Sequence, residues 1–264
     1  MTSALLTGRG FFLDAQMEKR RQKWIGYFDL LDALKTPGCP FCNRMEALSL
    51  KFLDGLYYER VTDVGTRVGL AQAKGFCNWH AWMSTEIPNS NSGIAMIYKD
   101  LLDAEIKRLS KWVGMRNGVE NGKSARRRRD RGIRKFLLSS WTNKASCPIC
   151  RQIGVHERMD IGTLLDFIDE EAFSQVFEKS SGICVRHLLE IMQGFETHSN
   201  LPLLVEKQLK KYQFLSDELG EFIRKLDYRF SKEAKGSEVD SWKRVIEQFS
   251  GKREIFGNEI KPSP

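Results

Sequence analysis

The chain has 264 residues, enough to bury a sizeable core as one domain or two. Its 41% hydrophobic and 29% charged content is ordinary for a soluble globular protein, and no apolar run is long enough to cross a bilayer, which excludes membrane insertion. The formal net charge of +8 counts every cysteine as a neutral thiol. It is concentrated where Arg126, Arg127, Arg128, Arg129, Arg131, Arg134 and Lys135 fall within ten positions, so one region is basic rather than the whole surface.

In chain order, the first ten residues hold a short apolar patch without a basic flank or a long apolar stretch. The sequence therefore predicts no signal peptide and a cytoplasmic protein. Met17 to Leu34 is apolar at mixed three- and four-residue steps and predicts a helix. Cys39-Pro40-Phe41-Cys42 follows, then Gly75-Phe76-Cys77-Asn78-Trp79-His80. Ile94 to Val113 is again helical in pattern. The stretch 114–132 combines Asn117-Gly118 and Asn121-Gly122 with the arginine run, which marks a basic linker or exposed loop. Cys147-Pro148-Ile149-Cys150 and Gly182-Ile183-Cys184-Val185-Arg186-His187 come next, and a third helical pattern covers Leu203 to Leu226. Asp240 or Ser241 caps a short helix from Trp242 to Phe249 that stops at Gly251, with a tail to Pro264. Sustained period-two alternation is missing, so the expected fold class is all-α.

The six cysteines expose an internal repeat. The C-P-x-C motifs lie 108 residues apart and the G-x-C-x-x-H motifs 107 apart, with no cysteine left over. The expected organisation is a first metal-binding repeat over 1–113, the linker 114–132, a second repeat over 133–251 and a tail 252–264. Each half is expected to carry one four-ligand site: Cys39, Cys42, Cys77 and His80 in the first, Cys147, Cys150, Cys184 and His187 in the second. A tight C-x-x-C turn places two sulfurs around one ion, and proline stiffens that turn. At a helix start, donors at i and i+3 share a face and the helix dipole favours thiolate. The glycine two residues before Cys77 and Cys184 permits an abrupt turn into that helix. Three sulfurs and one nitrogen fill a tetrahedral shell, the closed arrangement of structural zinc, although the same donors also hold iron–sulfur clusters. Two divalent ions on three thiolates each would bring the net charge to about +6.

Other accounts of the cysteines explain less. Three disulfides would need an oxidising compartment and leave the recurring histidines without a reason. A glutaredoxin-like C-P-x-C needs a preceding strand, and helical patterns surround this one. Buried apolar cysteines would not generate matched spacings. His156 and His198 have no counterparts in the repeat, at Leu48 and Asn91, and are expected to be ordinary histidines.

The combination resembles an uncharacterised prokaryotic family with paired C-P-x-C and G-[FL]-C-x-x-H motifs. That group also has a C-terminal signature, which here reads Glu221 to Phe230, Gly236 and Asp240-Ser241-Trp242. The resemblance runs from about Gly38 to Gly251 and implies the four-ligand chemistry at the eight residues named, with no activity attached. The four consecutive arginines depart from the family pattern. Phe222, Ile223, Leu226, Tyr228 and Phe230 are expected to close the core against the metal sites.

No phosphate-binding loop, dinucleotide fingerprint, H-E-x-x-H or G-x-S-x-G motif is present, and no glutamate sits beside the C-x-x-H pairs in the zinc-deaminase pattern. The expectation is a non-catalytic scaffold or interaction module with two zinc ions and a protein partner. Its alternatives are an iron–sulfur electron carrier and a nucleic-acid-binding protein using Arg126, Arg127, Arg128, Arg129 and Arg131.

Overall fold

The computed structural model describes residues 22–117, 131–132, 135, 138–139, 145–230 and 232–255. Ten α-helices and no strand occur among them. α1 spans Ile25–Lys35, α2 Pro40–Gly55, α3 Val64–Ala73, α4 Asn78–Met83 and α5 Asn91–Asn117. α6 spans Pro148–Phe167, α7 Glu171–Lys179, α8 Val185–Gly194, α9 Leu201–Lys225 and α10 Ser241–Ser250. The helical patterns from Ile94 and Leu203 and the short C-terminal helix are present; of the helix expected over Met17 to Leu34, α1 forms only from Ile25, residues 22–24 are not helical, and 17–21 lie outside the described residues, while the protein is all-α in its described part. α5 continues four residues beyond Val113, to Asn117.

α2 and α6, which carry the two C-P-x-C motifs, pack on each other antiparallel at the centre. Arg44 near the start of α2 meets Asp160 far along α6, while Phe52 further along α2 stacks near His156, so the two helices run in opposite directions. The Arg44 guanidinium holds Asp160 through Nε at 3.0 Å and Nη2 at 3.3 Å, and reaches Asp29 of α1 at 2.9 Å. That buried fork fixes the crossing of α1, α2 and α6.

One hydrophobic core runs through both halves of the sequence. Leu30, Leu34, Phe41 and Leu53 share it with Ile153, Ile161, Leu164 and Phe173. α1 contributes Tyr27, Leu30, Ala33 and Leu34, the one-sided spacing of an amphipathic helix. α10 packs on both α8 and α9, and the segment after α10 returns to α2.

The C-terminal signature differs from expectation. Ile223, Leu226 and Tyr228 are exposed, while Phe222 and Phe230 are half-buried, so this segment does not close the core. Polar groups hold it instead: Lys225 bridges Glu221 and Glu238, and Arg224 stacks on Phe230. α10 is also inverted in polarity, with Ser241 and Gln248 buried and Trp242, Ile246 and Phe249 exposed in a stripe.

Candidate metal centres

All four cysteine motifs begin helices. Cys39, Cys77, Cys147 and Cys184 occupy the N-cap positions of α2, α4, α6 and α8, and Cys42, His80, Cys150 and His187 follow three residues later in the first turn. Each N-cap carbonyl accepts the first helical hydrogen bond, from the amides of Asn43, Ala81, Arg151 and Leu188 at 2.9–3.1 Å. Pro40 and Pro148 take the first helical position, where the missing amide proton costs nothing. C-P-x-C is therefore the first turn of a helix rather than a free-standing turn. Gly75 and Gly182 have φ of +96° and +81°, which turn the chain into α4 and α8 as the sequence suggests.

The first group is Cys39, Cys42, Cys184 and His187, all buried. His187 Nδ1 lies 3.1 Å from Cys184 Sγ, 3.5 Å from Cys39 Sγ and 3.7 Å from Cys42 Sγ. The Cys42 and Cys184 sulfurs are 3.9 Å apart. On its far side, His187 Nε2 lies 2.8 Å from a carboxylate oxygen of Glu157 on α6. The Lys252 amide donates to Cys42 Sγ at 3.5 Å, and Lys252 Nζ reaches Glu46 at 2.5 Å, so the residues after α10 strap this group shut.

The second group is Cys77, His80, Cys147 and Cys150. His80 Nδ1 lies 3.1 Å from Cys77 Sγ, 3.4 Å from Cys150 Sγ and 3.6 Å from Cys147 Sγ, and the Cys77 and Cys150 sulfurs are 3.6 Å apart. His80 Nε2 faces Ser49 Oγ of α2 at 3.1 Å, and that hydroxyl donates to the Met45 carbonyl at 2.5 Å. His80 and Cys147 are buried, Cys77 is half-buried and Cys150 is exposed. The second group thus opens to solvent where the first is enclosed.

Residues 23–255 match the Family of unknown function (DUF6062). The chain belongs to that family. The matched span contains both DUF6062 donor groups and the residues that face them, Ser49, Glu157 and Lys252. No curated protein and no solved structure matches the chain.

The pairing expected within each half of this DUF6062 chain is corrected. Cys39 and Cys42 meet Cys184 and His187, not Cys77 and His80; Cys147 and Cys150 meet Cys77 and His80, not Cys184 and His187. The cause is the direction of α2 and α6. Each histidine touches the C-P-x-C helix of its own half, but at Ser49 or Glu157, seven residues past the second cysteine. Seven residues along a helix is about 10 Å, too far for that cysteine's sulfur to share an ion with the histidine. Because the two helices are antiparallel, the place beside Ser49 is filled by the start of α6 instead, and the place beside Glu157 by the start of α2.

Ser49, Glu157 and Lys252 complete the candidate centres, and the motifs alone do not point to them. Ser49 and Glu157 are themselves 108 residues apart, the offset of the C-P-x-C motifs, so a search for polar residues at matched offsets would have found them. Lys252 acts through its backbone, which no sequence pattern announces.

Each donor set suits a cation. In the second group, hydrogen bonds from Cys150 and Cys77 hold the Cys147 thiol far below its ordinary value, while those from Cys147 and Cys77 push Cys150 far above it. Burial acts to lower His80, yet hydrogen bonds with Cys147 and Cys77 carry it up to about 9. In the first group, contacts with Cys39 and Cys42 lower Cys184, and Cys42 is driven up by Cys184 and Cys39. Three thiolates at these separations repel strongly, and a divalent ion is the group that relieves them. The N-termini of two helices face each group and add favourable positive potential.

The remaining histidines stay outside both groups. His156 packs against Phe52, and His198 Nε2 lies 3.3 Å from Asp166. Arg126, Arg127, Arg128 and Arg129 lie outside the described residues, as do residues 256–264 of the tail; Arg131 is exposed.

Proposed function

We propose that this DUF6062 protein is a non-catalytic helical scaffold or interaction module, clasped by two structural zinc ions at the eight cysteines and histidines. The observation that carries this reading is the size of the donor sets, whose ligand atoms all lie within 4.8 Å of one another. Zinc at about 2.3 Å from sulfur and about 2.0–2.1 Å from nitrogen gives tetrahedral edges of about 3.8 Å between sulfurs and about 3.6 Å between sulfur and nitrogen. The sulfur pairs at 3.6 and 3.9 Å and the sulfur–nitrogen pairs at 3.1–3.7 Å fit around one ion. An iron–sulfur cluster spreads its protein ligands over several irons and needs a wider cage, which weighs against the electron-carrier alternative. Four protein donors leave no open position for substrate, which favours structure over catalysis.

A protein partner is supported by the exposed Trp242, Ile246 and Phe249 of α10. A reducing, cytoplasmic setting suits six cysteines held as metal ligands. The arginine run supports at most a salt-sensitive, sequence-independent attraction to nucleic acid. The deciding experiment is metal and acid-labile sulfide analysis, with a visible spectrum, on protein purified without oxygen. About two zinc per chain with no sulfide and no colour is the expected result. Iron with stoichiometric sulfide and absorbance near about 400 nm would overturn it.

A further inference from the structure

A cleft of about 820 Å³ opens beside the first metal group, between α9, α10 and the two loops that lead into Cys39 and Cys184. Its walls include Pro37 and Gly38 on one loop and Ser180 and Ser181 on the other, tied together by the Gly38 amide donating to Ser181 Oγ at 3.0 Å. Six cationic side chains and three carboxylates line it. Two of the carboxylates are already matched, Glu178 by Lys207 at 2.5 Å and Asp240 by Arg244 at 2.7 Å, and Arg244 is also held by Glu218 at 2.6 Å. Glu247, the third, sits against Gly38. Lys179, Lys210 and Lys243 form no ion pair among the described residues.

Two further residues build the cleft wall. Lys211 is half-buried and donates to the carbonyls of Glu178 and Ser180 at 3.0 and 2.7 Å. Burial, with Glu178 opposing it, brings its ammonium down to about 8. Gln248 is only 6% exposed. Its Nε2 donates to the Ser181 carbonyl at 2.8 Å, which fixes the amide, yet its buried Oε1 has no partner. That oxygen has essentially no exposed surface, so it lies behind the cleft wall and the fixed amide serves to close that wall. Tyr212, Phe214 and Leu215 supply an apolar side to the same cleft.

We propose that this cleft binds an organic phosphate. Lys179, Lys210 and Lys243 meet the phosphate charge, and the uncharged body lies along Tyr212 and Phe214. Three ammonium groups without an ion pair, that of Lys243 resting 5.2 Å over the Trp242 ring, call for more negative charge than one carboxylate carries, and lysine binds phosphate as a point charge. The volume lies in the range of small-molecule sites, roughly 300–1,000 Å³, and exceeds what inorganic phosphate fills.

The test is calorimetric titration of the full-length, metal-analysed protein with adenosine triphosphate, adenosine and inorganic pyrophosphate in magnesium-free buffer. The triphosphate should bind best of the three. Its affinity should fall at least about tenfold when both Lys210 and Lys243, exposed and thus safe to change, are replaced by alanine. Replacing Arg126 to Arg129 with serine should leave binding unchanged. Metal content measured before and after separates loss of the cleft from loss of the neighbouring metal group. Absence of binding by all three probes at millimolar concentration overturns the proposal, and so does binding that follows the arginine run rather than the cleft lysines. Equal binding of pyrophosphate overturns the organic body, and equal binding of adenosine overturns the role of the charge.

Discussion

Paired serine substitutions can decide how the two metal groups are assembled. If the groups cross between the halves, Cys42→Ser together with Cys184→Ser damages one group and leaves the other whole. The protein should then retain one metal ion per chain. Cys42→Ser with Cys77→Ser damages both groups and should retain none. Pairing within halves predicts the opposite stoichiometries, so the assay needs only metal analysis of two purified variants. Stability should follow. The unfolded chain is a poor competitor for the ion, because joining residues 142 apart costs about 5 kcal/mol of chain entropy and joining residues 67 apart about 4.4 kcal/mol. The native state alone then holds the metal, and a site at 1,000-fold saturation contributes about 4 kcal/mol. For a chain of this size, loss of one such site lowers Tm by roughly 8–16 °C. One metal in the Cys42/Cys77 variant, or none in the Cys42/Cys184 variant, would refute the crossed arrangement.

Further outcomes follow from the surroundings of each group. Because Cys150 is exposed and the first group is enclosed, a thiol reagent with a chromogenic chelator should release one ion rapidly and the second only on unfolding; equal release rates would contradict the difference in burial. Glu157→Gln weakens the carboxylate behind His187 and should reduce metal affinity of the first group by about 10–100-fold, measured by competition with a chelator of known affinity, while Ser49→Ala acts only on the second group. Asp160→Ala strands the buried Arg44 guanidinium, with only the more exposed Asp29 left to it, and should cost about 3–5 kcal/mol in denaturant unfolding. Gly75→Ala forces a side chain into φ +96° with Leu101 3.2 Å from the new methyl group, and should destabilise by about 1–2 kcal/mol.

Much of this was legible because the motifs are local. Cysteine, proline and histidine at fixed spacing name the donors, and the helix-start geometry at Cys77 and Cys184 follows from the glycine two residues earlier. The partner choice was not legible, since the repeat makes the two C-x-x-H motifs interchangeable: either one satisfies either C-P-x-C. Only the antiparallel packing of α2 and α6, held by Arg44 and Asp160 across 116 residues, breaks the tie. The C-terminal signature misled for a related reason. Ile223 and Leu226 have the i, i+3 spacing of a helix face and Tyr228 adds an aromatic end, but Lys225 and Glu238 anchor the segment by charge and leave those side chains outside. The Gln248 and Lys211 wall of the cleft comes from helices and loops far apart in sequence and gives no motif at all.

The crossed groups also set a timetable for biosynthesis. While only the first half has emerged from the ribosome, its four donors have no completed cage to enter. Cys77 and His80 must wait for Cys150 before their ion can be held, and Cys39 and Cys42 must wait for His187. If the groups hold metal as proposed, loading would proceed from the inner pair of motifs to the outer pair, and a nascent chain interrupted in the basic stretch 114–132 would leave the ribosome with neither ion captured. Two separately translated halves, in turn, would each be recipient and donor to the other, and would mature only by meeting.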